Sequence, residues 1–252
     1  FNHPELTTKT AQSVLQHWRG QFLILLVHNG SENKHRTEAT KKISNLNHGE
    51  HVQHHIMPNN KGYSGGANEA LNIAFKQSDW VLFLTNDCIL HKFSPPESIK
   101  NEAQFLAPII WARKLGNVDS FGGKVNLSQA HLSHCKNPED FYASTLSYIP
   151  GTAFWMHKNF LQAVGPFDEA LGTYWEDVDL CLRAHHLNLK MDLDLNSEII
   201  HGIGKTCHKK PLYTSYFYQR NRKRVSFRWL IKNWKTAETK RDHRAQGHGS
   251  DT

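Results

Sequence analysis

"DWVLFLTND" runs from Asp79 to Asp87. Its apolar run reads as a buried strand, and Thr85, Asn86 and Asp87 end it in polar groups. Ligands of open α/β sheets sit outside the carboxyl ends of the strands, so Asp87 is placed at the ligand edge. A carboxylate there suits a divalent cation bridging to phosphates, because hard cations take oxygen ligands. The plainer account is a strand-end aspartate that caps a turn.

Moving outward, "SGGANEALNIAFKQS" reads as a helix entered through glycine, and "HVQHHIMPN" as a weaker strand. "QFLILLVHN" is a buried strand followed by the polar "HNGSEN". "PELTTKTAQSVLQHW" is a helix with Leu6, Val14, Leu15 and Trp18 available for burial. This alternation over residues 1–110 predicts an α/β fold with a mainly parallel sheet. Residues 111–147 are loop-rich, with "FGGKVN" as a turn between strands. "LSYIPGTAFWMHK" predicts two short strands around Pro150 and Gly151, and "KNFLQAVG" a helix. "LKMDLDLNSEIIHGIG" closes the core with a strand ending at His201.

"GTYWEDVDLCLRAH", Gly172 to His185, opens a helix with Glu176 and Asp177 behind a Tyr174–Trp175 pair. Acids in a first turn favour the helix dipole. The sharper reading is a general base held at the mouth of a cleft, since a rigid helix start fixes a carboxylate within reach of a proton. Asp179 and Arg183, four apart, read as a structural pair. His201 matters chemically only if it shares a cation with Asp87. His51, His54 and His55 read as solvent-facing. The glycines at 62, 65 and 66 precede a helix whose N-terminus is a plausible neighbour for phosphates.

The chain has 252 residues, a net charge of +7 and 18 histidines, a balance suited to phosphorylated ligands, polyanions or an anionic membrane surface. No apolar run of about 18 residues predicts a membrane span, and the opening residues carry no signal-peptide pattern. Cys88, Cys135, Cys181 and Cys207 lack CxxC spacing, which argues against a zinc knuckle or disulfide scaffold and for a reducing compartment. No Ser-His or Cys-His nucleophile stands out. The final stretch is aromatic and basic, with Arg220, Arg222, Lys223, Arg224 and Arg228 among Tyr216, Phe217, Tyr218 and Trp229. Such a tail packs on the core or touches anionic lipid; base stacking is a weaker use of it, and no nucleic acid is expected.

In order along the chain, "FNHPELTTKTAQSVL", "LILLVHNGSEN", "NKGYSGGANEAL", "VLFLTNDCIL", "GTAFWMHKNFLQAVGPFDEALGTYWEDVDLCLRA", "IIHGIGKT" and "YFYQRN" resemble the family 2 glycosyltransferases, especially the bacterial rhamnosyltransferase-like branch. The resemblance implies a GT-A fold, a Rossmann-like mixed, mainly parallel sheet flanked by helices. It implies inverting transfer of a hexosyl or deoxyhexosyl unit from a nucleotide diphosphosugar to a cell-surface glycan or its lipid-linked precursor. Manganese or magnesium would be held by Asp87 and His201, and Asp177 would be the catalytic base. The donor would meet His28, Asn29, Gly62, Gly66, Asn86 and Asp87. The acceptor would meet Trp155, Tyr174, Trp175 and Glu176. Residues 1–110 would form the nucleotide-sugar half, 111–205 the acceptor and catalytic half, and 206–252 the basic tail. The expected location is cytoplasmic, with peripheral contact at an anionic inner membrane face. Three departures are visible. His28 stands where the family often has an acid that reads the base, "TND" keeps one carboxylate, and the strand that usually precedes "FN" is absent. They point to an alternative, a sugar- or nucleotide-binding homologue with impaired catalysis. A nucleotidyltransferase is a further alternative, without a supporting glycine-rich loop.

Overall fold

The computed structural model describes residues 2–17, 22–94, 103–202 and 211–246. Trp18 and Cys207 lie outside them. Helix α1 (Pro4–Leu15) starts on a proline, whose missing N–H costs nothing in a first turn. It is followed by β1 (Ile24–Asn29), α2 (Asn33–Ser44), β2 (Val52–Met57), α3 (Gly62–Ala74), β3 (Trp80–Leu84) and β4 (Cys88–Lys92). Then come β5 (Phe105–Ala112), β6 (Val118–Ser120), β7 (Gly123–Asn126), β8 (His131–His134), α4 (Pro138–Tyr142), β9 (Ser147–Tyr148) and β10 (Ala153–His157). The chain continues through α5 (Lys158–Val164), α6 (Glu176–His186), β11 (Asp192–His201) and α7 (Pro211–Gln246).

The central sheet runs β3-β10-β5-β11-β4, with β6 beside β5. Its pairing corrects the mainly parallel expectation. β5 and β11 are parallel, but β10 lies antiparallel to both β3 and β5, and β4 lies antiparallel to β11. The short strand after Gly151 turns back into the sheet instead of following a helical crossover. β5 is buried along nearly its whole length. Its Pro108, which cannot donate to a ladder, sits where β11 slips register between Asp194 and Glu198.

β1 and β2 form a separate two-stranded parallel sheet. Among the described residues, β1 pairs only with β2 and β3 only with β10. Between β1 and β3 lies a cavity of about 680 Å³, lined by Leu25, Val27, Ala70, Leu82, Leu84 and Trp155 among others. Every residue of β3 and most of β1 are therefore only half-buried despite being apolar.

The largest core gathers Phe105, Phe154, Phe160, Phe167, Leu171 and Trp175 beneath α6. The stretch read as a tail continues from residue 211 as a helix, and Val225 and Trp229 are buried in this same core. Of its five cations, Arg220, Arg222 and Arg228 have partners inside the protein. No described helix is long and apolar enough to cross a membrane.

Candidate active site

Asp87 follows β3 in the turn to β4, where β11 brings His201 alongside. Thr85 Oγ1 donates to Asp87 Oδ1 at 2.9 Å, and His201 Nε2 lies 3.4 Å from Asp87 Oδ2. Burial alone would raise the Asp87 carboxyl, but His201 and Thr85 outweigh it and hold it below the usual range. Burial likewise opposes a charge on His201, yet Asp119 and Asp87 raise its imidazole to about 9. Asp119 belongs to β6 and is missed from sequence, because nothing in the loop-rich middle marks it. It lies 4.0 Å from His201 Nδ1 and 3.4 Å from His134 Nδ1.

Asp177 sits on the first turn of α6. Acids at this helix start and Arg183, His185 and His186 in its last turn both match the dipole. Asp177 Oδ2 accepts from the Gly151 amide and Oδ1 from the Val178 amide, both at 2.8 Å. Burial pushes its carboxyl above the usual range, against those two hydrogen bonds. Glu176 is 5% exposed, and its Oε2 has no protein partner. Burial, then the neighbouring Asp177, hold its carboxyl well above the usual range.

A short chain of hydrogen bonds joins the two acids. Thr85 N donates to Thr152 O at 3.0 Å, and the preceding residue, Gly151, supplies the amide that binds Asp177. Tyr63 Oη also donates to Gly151 O, at 2.6 Å. Asp87 and Asp177 thus flank one Gly151–Thr152 hinge between β9 and β10.

Tyr174 and Trp175 both adopt left-handed backbone, φ 72° and 69°, a conformation bulky residues rarely take. Two elements clamp the turn. From α3, Ser64 N donates to Gly172 O and Tyr63 N to Thr173 Oγ1. From α7, the buried Asn221 amide donates to Leu171 O, Thr173 O and Tyr174 O at 2.8–2.9 Å. Arg183 pairs with Asp179 at 3.0 Å, and Trp229 Nε1 and Arg228 converge on the same buried acid.

Other expected residues have more structural surroundings. Trp175 is 1% exposed, a core residue. Trp155 packs with Leu106 and Phe93 and lines the apolar cavity, apart from the core that holds Phe154 and Trp175. The structure does not group it with Tyr174, Trp175 and Glu176. Asn29 binds the start of α3, donating to Gly62 O at 2.7 Å and accepting from Lys61 N at 2.9 Å. Gly62 has φ +71°, and a side chain at Gly66 would collide with the Asn29 amide at 2.5 Å. The amides of Gly62, Tyr63 and Ser64 are all spent on protein oxygens, so the phosphate role read into this helix start has no free N–H at those positions. Asn86 reaches Thr7 of α1 at 3.3 Å. His28 Nε2 lies 3.1 Å from His54 Nδ1, which corrects the solvent-facing reading of His54. Asp87, His201 and Asp177 do not line the apolar cavity, but Asn29, Gly66, Thr85 and Asn86 do, so the cavity adjoins the Asp87 end of the site.

Residues 1–110 match the family described as glycosyl transferase family 2. No curated protein matches the chain. Among solved structures it is similar to GalNAc-T7 with UDP, GalNAc and Mn2+, at 16% identity and TM-score 0.59 over 75% of this chain and 39% of that one. It is similar also to the mannosyltransferase PcManGT from Pyrobaculum calidifontis in complex with GDP-Man and Mn2+, at 11% identity and TM-score 0.54 over 82% and 55%. S. aureus TarS 1–349 matches at 14% identity and TM-score 0.54 over 95% and 71%. The fold is the GT-A fold. The chain spans 39% and 55% of the first two proteins, so the GT-A core is what they share with it.

The residues present fit a divalent cation. Asp87 Oδ2 and His201 Nε2 are 3.4 Å apart, a separation that one coordination sphere spans, and they offer an oxygen and a nitrogen donor. Elsewhere a trio, His48, Glu50 and His51, converges, but it is exposed and lies just ahead of β2.

Proposed function

We propose that the chain carries the catalytic core of an inverting glycosyltransferase that moves a hexosyl or deoxyhexosyl unit from a nucleotide diphosphosugar to a glycan or lipid-linked glycan. The observation that carries this reading is the pair of acids, Asp87 and Asp177, held on either side of the Gly151–Thr152 hinge within a GT-A fold. Inverting displacement needs a base on one face of the anomeric carbon and a stabilised leaving group on the other. Asp177 takes the acceptor hydroxyl proton on one face. Its raised proton affinity favours that task over an ordinary carboxylate. Asp87 and His201 would hold manganese or magnesium on the other face, where such an ion would supply charge stabilisation for a diphosphate leaving group. Residues 1–110 serve the donor, with His28, Asn29, Gly62, Gly66 and Asn86 near it. Residues 111–205 serve the acceptor beside Tyr174, Trp175 and Glu176, with Trp155 expected there from the resemblance alone.

The test is thermal shift over a panel of nucleotide sugars, with and without Mn2+, since a ligand that binds only the folded state raises its stability. A donor that stabilises only with Mn2+, and loses that effect in Asp87→Ala, supports the reading. No shift with any nucleotide sugar sinks it. The open gap beside β3 favours a second reading, a binding homologue without turnover, which donor binding without transfer or hydrolysis would support. The exposed face of α7, with Leu212, Tyr216, Phe227 and Leu230 near Lys223 and Arg224, supports peripheral contact with anionic lipid at the inner membrane face. Equal sedimentation with anionic and neutral vesicles at low salt would remove that contact.

A further inference from the structure

His201 has two ring nitrogens, and each faces a different carboxylate. Nε2 lies 3.4 Å from Asp87 Oδ2, and Nδ1 lies 4.0 Å from Asp119 Oδ2. All three side chains are at most 20% exposed. At 4.0 Å the second pair attracts as charges without a hydrogen bond, and Nδ1 is a buried atom with no hydrogen-bond partner. The sheet explains the arrangement. β5 carries β6 along one edge and β11 along the other, with Val118 opposite Trp111 and His201 opposite Ala112. Asp119 and His201 therefore meet across the end of a shared central strand. Asp119 is itself held, because its other oxygen lies 3.4 Å from His134 Nδ1 on β8.

The nitrogens of an imidazole point away from one another, so a carboxylate facing Nδ1 does not share a cation bound at Nε2. Among the described residues the Asp87, His201 and Asp119 donor atoms also fail to converge as a trio; the converging trio is the surface one at His48. What the carboxylate charge facing Nδ1 does is favour the proton on that nitrogen, which leaves Nε2 free to ligate. Such outer partners set how well a histidine ligates, and losing one weakens metal affinity about 10–100-fold.

We propose that Asp119, braced by His134, is the positioning residue that holds His201 with Nε2 aimed at Asp87. The proposal rests on the reading of Asp87 and His201 as a divalent-cation site. Asp119 links β8, the outer strand of the small β8-β7-β9 sheet, to the ligand edge of the central sheet.

The probe is Mn2+ alone, titrated calorimetrically into the full chain, with circular dichroism to confirm folding. Asp119→Asn should weaken Mn2+ binding about 10–100-fold. Asp119→Glu, which keeps the carboxylate, should bind closer to the parent than Asn does and decides the matter if Asn fails to fold. Electron spin-echo modulation of bound Mn2+ should show a coordinated imidazole nitrogen in the parent, with a changed coupling in Asp119→Asn. Parent-like Mn2+ affinity and nitrogen coupling in a folded Asp119→Asn would overturn the role of Asp119. If Asp87→Ala loses Mn2+ in the same experiment, the metal reading stands without it. A parent chain that binds no Mn2+ overturns both.

Discussion

Around β1 and β2 the buried apolar cluster is Ala11, Leu15, Ile43 and Val52. Beneath β10 and α6 it includes Phe105, Phe154, Phe160, Phe167 and Trp175. Among the described residues, the first region has no buried aromatic ring in its cluster and leaves one edge of β1 unpaired. The second stacks Phe83 on Phe154 at 4.8 Å and crosses Phe105 over Phe154 at 5.3 Å. Aromatic pairs add about 0.5–1.5 kcal/mol each beyond their buried area. That rigidity lets the second region hold strained backbone at Tyr174 and Trp175 and a desolvated carboxylate at Asp177. The first region positions its groups by polar ties, such as Asn29 to Gly62 and Asn86 to Thr7, which cost less to remake.

The sharpest break in this contrast is chemical. Asp177→Asn keeps the shape of the rigid side and removes only its proton acceptor. Transfer should fall about 10²–10⁴-fold, the range for loss of a general base. Donor binding, which belongs to the other side, should persist. Turnover near the parent rate, measured on whichever nucleotide sugar shows Mn2+-dependent binding, would remove Asp177 from the mechanism.

Stability offers the next break. Asn221→Ala leaves Thr173 O and Tyr174 O without the amide that binds them, while Leu171 O keeps Arg220 and the Thr173 N–H. Each buried group left unpaired costs about 1–3 kcal/mol, and the left-handed pair loses its clamp as well. A loss of about 3–5 kcal/mol in urea unfolding is expected, because these costs partly overlap. Asn221→Asp tests the donors specifically, since it keeps the shape but offers no N–H. A loss under about 1 kcal/mol in both variants would show that packing alone holds the turn.

The elements that are legible in the sequence follow the same division. Apolar runs that end in polar groups mark β1 and β3, and the acidic start marks α6 with its Asp179–Arg183 pair. The meeting of Asp87 with His201 comes from resemblance, and β11 delivers it. Asp119, His134 and Asn221 are not legible as partners. Asp119 meets a histidine 82 positions later in the chain, and Asn221 binds carbonyls about 50 positions earlier. His134 is only 15 positions from Asp119, but on a strand of a different sheet. No local pattern reaches across such contacts. The direction of strands is misjudged for a similar reason. A helix–strand alternation implies crossovers, but it does not show that β10 turns back antiparallel. The histidines mislead in the opposite direction, since His54 looks like surface and pairs with His28.

That pair supplies a pH test confined to the weaker region. Burial, then His54 and Arg36, lower the His28 imidazole from 6.5 to about 4. The unfolded chain therefore takes up a proton between those values that the folded chain refuses. Stability from the neutral ring is complete above pH 6.5 and is lost as pH falls toward 4. Down to about pH 4.5 the expected loss is about 2–3 kcal/mol, since each tenfold change in proton affinity is worth about 1.4 kcal/mol. His28→Asn should flatten that part of the melting curve against pH. Parallel slopes for parent and variant between about pH 7 and about pH 4.5, which spans most of that window, would clear His28 of the acid sensitivity.

The smallest expected effect tests whether the contrast between the regions comes from the gap itself. Among the described residues, β1 and β3 each offer an unused hydrogen-bonding edge to a cavity of about 680 Å³ with apolar walls. The residues around the start of α1 point to how the gap is reached. Asn2 binds Ser31 and Glu32, just past the end of β1, and Asn86, just past β3, binds Thr7. A segment fused ahead of Phe1 would thus run back between the two strands, parallel to β1. Five apolar β-branched residues match the five of β3 in length. Such a strand would gain ladder hydrogen bonds and buried area on both faces, offset by about 1.5 kcal/mol of ordering entropy per residue. The net gain expected is on the order of 1 kcal/mol, which raises the Tm of a domain this size by about 2–4 °C. A control segment of five Gly and Ser residues, equal in length to β3, should give no rise. Protection of β1 and β3 amides from hydrogen exchange should increase with the apolar segment and stay flat with the control. If both fusions leave Tm and exchange unchanged, the gap is closed to a strand, and the softness of the first region lies in its small core instead.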